Sequence, residues 1–419
     1  MHILGLHPIA LPSQKRGINF ENRCLLQHKH NLSVYKVIRF IRIIAAVRKA
    51  FLIWALVFPM TNVIMLNQGA DFIRNCKPQK TAIVYHKGCG DGISAAAILI
   101  RTFEKYFGER PAKIIYANPG KLDLVRIPAF YEYIIFTDLA ADQNLKEVLR
   151  WSKRSKIAVF DHHKIANNLN EYRILHVHPD LFQKELEGSR YCGAKLTFDI
   201  CSLVVDISHL DWLAGVGIIN DVGGMSWKKF LDKIYNNYSE LSKSKKIYDF
   251  SSQLGSIASL FSAGKDKVGG ERLALEIALE AGSPKELLDC SGKAAILCKH
   301  KKIREDEIKY YTSDWRNKAE KYGNLIIYEI APKNEIISAV STEISMQIKD
   351  KTVVVLRTNN NSMKVSYRNQ NAKVDCNKLA LQLAQEFNGI GGGHRQAAGG
   401  LISENKREEF KKRLRELVK

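Results

Sequence analysis

The run "KIAVFDHHK", residues 156–164, passes from an apolar strand straight into Asp161, His162 and His163, where a turn would ordinarily supply Gly, Asn or Ser. Two other apolar runs end the same way: "TAIVY" leads to His86 and "YIIFT" to Asp138. Carboxylates and imidazoles at three strand ends suit a divalent cation. In an open parallel sheet the carboxyl ends of the strands lie along one edge, so residues far apart in sequence share one crevice. Mixed nitrogen and oxygen donors favour Mn²⁺, whereas an all-oxygen set would favour Mg²⁺ or Ca²⁺. This many ligands has room for two ions about 3.5–4 Å apart, the arrangement that activates water and neutralises a phosphoryl oxygen. Any one strand-end Asp more often caps the following helix. Agreement among three strand ends carries the inference.

A second candidate lies far downstream in "NGIGGGHRQAAGG", residues 388–400. Consecutive glycines let backbone N–H groups approach an anion, and His394 and Arg395 add donors suited to phosphate. The bland alternative is a turn between a helix and a strand. The run "LAGVGIINDVGG" (213–224), by itself, reads only as the end of a helix.

The elements that must position these groups form two alternating α/β regions. In the first, strands are expected at 81–86, 113–118, 133–138, 156–161 and 173–178, with a helix over 91–109 whose start Asp91 is placed to cap. Strands alternating with helices predict a parallel sheet covered on both faces. Residues 192–310 read as mostly helical, and the charged stretch 299–322 as a solvent-bridging helix or linker. The second region is expected to hold strands at 324–331, 352–358 and 362–368, helices at 336–348, 376–387 and 406–418, and the glycine loop. The resulting division is an N-terminal extension (1–77), a parallel-sheet catalytic domain (78–245), a helical connector (246–322) and a smaller α/β domain with a mixed sheet (323–419).

The 419 residues carry 46% hydrophobic and 26% charged side chains, a globular composition that excludes a disordered chain. With 64 basic against 43 acidic residues the formal charge is +21, which favours a polyanionic partner. The eight cysteines show no C-x-x-C pair, a pattern that suits reduced thiols in a cytoplasmic setting better than disulfides or a structural zinc site. The first 64 residues hold nine basic residues and one acid, and residues 50–66 form a 17-residue apolar stretch containing Pro59 and Asn62. This reads as a marginal membrane anchor or, the option favoured, as sequence upstream of a later start at Met60 or Met65. A membrane partner is expected only if that segment is real.

Together these stretches resemble the DHH phosphoesterase superfamily, which includes RecJ-like single-strand exonucleases, nanoRNases and cyclic-dinucleotide phosphodiesterases. "YHKGCGDGISAAAIL" is similar to its first motif, "IIFTDLA" to its second, "FDHHK" to the eponymous third and "GIIND" to its fourth; "FNGIGGGHRQAAGG" is similar to the signature of the DHH-associated C-terminal domain. The resemblance spans about residues 80–402. It implies that His86, Asp91, Asp138, His162 and Asp221 are metal ligands, with Asp138 bridging two Mn²⁺ ions, Mg²⁺ being the alternative. It further implies that Asp161 orients its neighbours and that His163 stands beside the scissile phosphate. Gly391, Gly392, Gly393, His394 and Arg395 would hold the substrate's terminal phosphate or sugar, with Ser366 and Arg368 from a neighbouring strand.

The implied activity is a phosphodiesterase on single-stranded DNA, RNA or short oligonucleotides, in company with replication or repair proteins. Alternatives are a phosphodiesterase for small nucleotides or cyclic dinucleotides, and a non-catalytic RecJ-derived replication scaffold. One departure stands out: many members have two acids in the first motif, where this chain has only Asp91, preceded by Cys89. Cys89 reads as a small residue packed in the turn, with a soft replacement ligand as the other reading.

Overall fold

The computed structural model describes residues 63–419 apart from 119–120, 187–189, 242–246, 360 and 419. Its first sheet has five parallel strands: β1 (Thr81–His86), β2 (Lys113–Ala117), β3 (Tyr133–Thr137), β4 (Lys156–Phe160) and β5 (Leu175–Val177), in the order β2-β1-β3-β4-β5. All five match expected strands. Side chains alternate across the sheet, as the two-residue period of a strand requires. Ile83, Tyr85, Ile135, Ala158 and Phe160 face one buried cluster, while Ala82, Val84, Ile134, Phe136, Ile157 and Val159 face the other. Both faces are therefore covered, which is why these strands read as near-continuous apolar runs.

The first face packs on the helix Gly90–Phe107, which starts directly after β1 and ends at Gly108, whose φ of 77° suits a residue without Cβ. The same core continues through the helices Gly193–Ser202, Asp211–Asn220 and Gln253–Ser262 as far as Leu297. Residues before 242 and after 246 contribute to this same core. The core also begins earlier than Lys77: a helix over 63–74 buries Ala70 and Ile73 completely in this cluster. The apolar stretch 50–66 otherwise lies outside the described residues. Among the described residues no helix is long and apolar enough to cross a membrane.

The helix Ala294–Ser313 occupies most of the charged stretch and leads to the second sheet. This has six strands, β6 (Glu320–Tyr322), β7 (Leu325–Ile330), β8 (Thr352–Asn359), β9 (Ser362–Asn369), β10 (Ile390–Gly393) and β11 (Ala397–Ser403), in the order β10-β11-β9-β8-β7-β6. Only β7 and β8 pair in parallel. The helix Ile337–Gln347 covers one face through Val340 and Ile344; the helices Cys376–Glu386 and Arg407–Leu417 cover the other through Leu379, Leu383, Phe410 and Leu414.

Two expectations are corrected. The glycine stretch is an antiparallel hairpin in which Gly391 faces Gly400 and Gly392 faces Gly399; sheet pairing overrides the low strand propensity of glycine. Cys290 and Cys298 form a disulfide, where free thiols were expected. Their eight-residue separation has no signature in sequence, because only the turn into the helix Ala294–Ser313 brings them together.

Candidate metal centre

The register of the parallel sheet sets the site. Tyr85 is level with Thr137, Thr137 with Phe160 and Phe160 with Val177, so the residues that follow these strands emerge along one edge. The edge includes the switch point between β1 and β3, where the chain order reverses and a crevice opens. His86 ends β1, Asp138 follows β3, and Asp161, His162 and His163 follow β4. Asp138 holds a left-handed backbone with φ 51°, and its N–H donates to Phe160 O at 3.0 Å.

All five residues implied as ligands meet here. His162 Nε2 lies 3.1 Å from Asp138 Oδ1, 3.3 Å from Asp221 Oδ2 and 3.6 Å from Asp91 Oδ2. His86 Nδ1 lies 3.4 Å from Asp138 Oδ2. Asp221 arrives from the end of the helix Asp211–Asn220, steadied by Asn220 Nδ2, which donates to Asp221 Oδ1 at 2.9 Å; Asn220 Oδ1 in turn accepts from Gly90 N at 3.2 Å.

Asp91 corrects a sequence expectation. It does not cap its helix; Cys89 does, its Sγ accepting from Gly92 N at 3.1 Å. The Asp91 carboxylate instead accepts from Gly193 N at 2.7 Å and Ala194 N at 2.8 Å, so it is held by the start of another helix. That approach needs small residues. A Cβ on Gly217 would lie 2.2 Å from Asp91 Oδ1, and one on Gly193 would lie 2.5 Å from Asp138 Cβ. Neither glycine stands out in sequence, since their role exists only once three helices meet. Cys89 is also placed at the site, its Sγ 3.3 Å from Asp138 Oδ2 and 3.7 Å from His86 Nδ1.

Electrostatically the pocket is crowded with acid. Asp91 is fully buried, and that burial, with Asp138 and Asp221 close by, pushes its carboxyl well above the usual range. Burial likewise raises Asp221. Burial acts in the same direction on Asp138, yet the hydrogen bond from His162 and the His86 imidazole close by hold it well below the usual range. Three convergent carboxylates share His162 as their close counterpart, and the His162 Nδ1 atom has no hydrogen-bond partner among the described residues. Buried carboxylates persist when paired or when they coordinate a metal, so the donor set fits divalent cations. Three overlapping groups have one ligand atom each within 4.8 Å of one another: His86–Cys89–Asp138, Asp138–His162–His163 and Asp91–His162–Asp221. Asp138 belongs to two of them, as a bridging residue would.

Beside this pocket, His163 Nδ1 donates to Asp161 Oδ1 at 2.8 Å. Burial opposes charge on His163, but Asp161 overrides it and pushes the imidazole up to about 10. Burial acts upward on Asp161, and His163 more than reverses that to leave the carboxyl below its usual range. His178 fixes the turn through a 2.6 Å contact of its Nε2 with His163 O.

The second sheet reaches the same place through His394, whose ring stacks on His163 with centroids 5.7 Å apart and an 18° interplanar angle. It also stands 5.8 Å from the His162 ring. Burial, then the two neighbouring imidazoles, lowers His394 to about 3. Arg190 ties the two sides together, donating to Val222 O beside Asp221 and to Gln396 Oε1 in the β10–β11 turn. It was not visible as a site residue in sequence.

The remaining expected substrate residues are more occupied. Gly393 N donates to Asn377 Oδ1 at 3.0 Å, and His394 N to Ala397 O at 2.7 Å. Gly391 packs against the Ala380 carbonyl, where a Cβ would come within 2.3 Å. Gly392 has the more open surroundings, and Arg395 is exposed. Arg368 donates to Thr342 Oγ1, Ser338 Oγ, Tyr367 O and Ser366 Oγ, and Ser366 is itself bonded to Ser341 at 2.8 Å. Both sit within the second sheet's own network.

Residues 323–419 match the DHHA1 domain family. Comparison with the curated proteins finds no match. Among solved structures, RecJ from Thermus thermophilus in complex with Mn²⁺ superposes with a TM-score of 0.64 at 18% identity, over 84% of this chain and 54% of that one. This chain therefore spans about half the length of that RecJ. A DHH domain described as a member of the s1p family of ribosomal proteins gives 0.64 at 17% identity, over 86% and 93% of the two chains. CDC45 from Entamoeba histolytica gives 0.52 at 9% identity, over 85% and 98%. The chain therefore shares the fold of RecJ and of that DHH domain, and its residues 323–419 match the DHHA1 domain.

Proposed function

We propose that this protein is a metal-dependent phosphodiesterase that hydrolyses single-stranded nucleic acid or short oligonucleotides. The observation that carries the reading is the meeting of His86, Asp91, Asp138, His162 and Asp221, drawn from four separate segments, in one pocket faced by His394 of the second sheet. Divalent cations held there, with Mn²⁺ the expected occupant and Mg²⁺ the alternative, would acidify a water and neutralise charge on the phosphoryl oxygens.

The chain's own residues account for the rest. Asp138 belongs to two of the three donor groups and so ties them together. Asp161 locks His163 through Nδ1, which leaves Nε2 free to meet the scissile phosphate and stabilise the charge that develops there. Hydrolysis adds water to phosphorus and breaks the bond to a sugar oxygen, which leaves with a proton. His163 is placed to assist that departure. His394, Gly392 and Arg395 are the groups offered to the substrate's end. Outside the first 64 residues the chain still holds 55 basic against 42 acidic residues, which supports a polyanionic substrate over a small dinucleotide.

The test is purified protein with Mn²⁺, Mg²⁺ or EDTA, given end-labelled single-stranded DNA, RNA and dinucleotides, with product lengths read out. Cation-dependent shortening of the oligomers is expected. Failure to cleave any of them with either ion would overturn the reading, and exclusive cleavage of dinucleotides would replace it with the small-nucleotide activity.

A further inference from the structure

We propose that Cys89 is a metal ligand, its Sγ joining His86 and Asp138 in a soft corner of the centre, so that the two cation positions differ in kind. A thiophilic ion such as Zn²⁺ would take this corner and a hard ion the corner of Asp91, His162 and Asp221. The inference rests on the metal-centre reading above and specifies one half of it.

Three observations carry it. The first is separation. Cys89 Sγ to His86 Nδ1 is 3.7 Å, Cys89 Sγ to Asp138 Oδ2 is 3.3 Å, and His86 Nδ1 to Asp138 Oδ2 is 3.4 Å. Bonds of about 2.3 Å to sulfur and about 2.0–2.1 Å to nitrogen or oxygen place the atoms of one tetrahedral face about 3.3–3.6 Å apart. The triangle has the size of such a face. The His86–Asp138 edge, in contrast, is longer than a good hydrogen bond.

The second is rigidity. Cys89 caps the helix Gly90–Phe107, Gly90 N is anchored on Asn220, and a Cβ at Gly92 would lie 2.5 Å from His86 O. Thiol, imidazole and carboxylate are thus fixed by the backbone on which they sit, and little rearrangement is needed to receive an ion. The third is composition. A second carboxylate would make this corner hard, whereas one thiolate, one imidazole and one carboxylate form the borderline-soft set that suits Zn²⁺ and Co²⁺. Coordination would replace the thiol proton that now faces Asp138, and that proton passes to solvent.

The experiment strips the full chain with a chelator and titrates it with Co²⁺ alone, recording heat and absorption. Expected is cobalt uptake with a near-ultraviolet thiolate-to-cobalt charge-transfer band, bleached by added Zn²⁺. In Cys89→Ser and Cys89→Asp the band should vanish, with Co²⁺ binding at that corner weaker by about 10- to 100-fold. Cobalt bound by wild-type protein without the band would overturn the role of Cys89 and leave the metal centre standing, and this outcome needs no variant to fold. Retention of the band in a folded Cys89→Ser protein would overturn it equally, passing the sulfur ligand to another thiol such as Cys192. No cobalt uptake at all would overturn the metal centre itself.

Discussion

The two sheets handle their buried polar groups in opposite ways. In the second sheet Ser341 pairs with Ser366, Asn369 with Thr352, and Arg368 with Ser338, Thr342 and backbone carbonyls, so these polar groups close on one another, with the buried Tyr367 hydroxyl the exception among the described residues. At the edge of the first sheet, Asp91, Asp138 and Asp221 crowd around His162 with like charges unresolved. A satisfied network stiffens a scaffold, and an unsatisfied one held rigidly in place marks a site that awaits a ligand. The first sheet should therefore carry the chemistry and the second the grip, and kinetic constants can separate the two.

The sharpest break would come from the first sheet. Asp138→Ala removes the carboxylate common to two donor groups, and oligonucleotide hydrolysis should fall by about 10³-fold or more while circular dichroism stays native. Near-normal turnover in that variant would end the assignment of chemistry to this edge. His163→Ala should lower kcat by about 10²-fold with little change in KM, because its charge matters most in the transition state. On the other side, His394→Ala should raise KM by about tenfold while leaving kcat within a few-fold. A fall in kcat as deep as that of His163→Ala would erase the division of labour.

The smallest effect concerns stability. His176 is fully buried within β5, and burial, then His178, lowers it from 6.5 to about 4. Its folded value lies below its unfolded one, so the unfolded chain binds the extra proton. Stability from this group is complete above about pH 6.5 and is lost as pH falls toward 4, by up to about 3 kcal/mol. Urea melts across that window should show less acid sensitivity in His176→Gln than in wild type.

Much of this division is legible in the sequence. Apolar runs ending in His86, Asp138 and Asp161–His163 locate the first edge because strands of a parallel sheet are buried on both faces and break off abruptly at polar residues. Asp221 is less visible, since a helix ending in Asp and glycines is common. Asp91 is recognisable and its role is not: an acid at a helix start looks like a cap, and only the fold shows Cys89 in that position and Asp91 turned toward Gly193. Gly193, Gly217 and Arg190 escape sequence reading altogether, because each acts on a segment far from its own. The glycine stretch reads as a loop for a similar reason, its partner strand being what makes it a strand.

The left-handed backbone of Asp138 narrows what evolution can do at that position. Few residues accept such a conformation readily, chiefly glycine, asparagine and aspartate, and of these aspartate alone brings a charge. Descendants that lost the proposed hydrolysis would be expected to drift to asparagine or glycine here sooner than to glutamate. A relative bearing either residue after the third strand is thus the one in which to test whether the proposed hydrolysis has been lost.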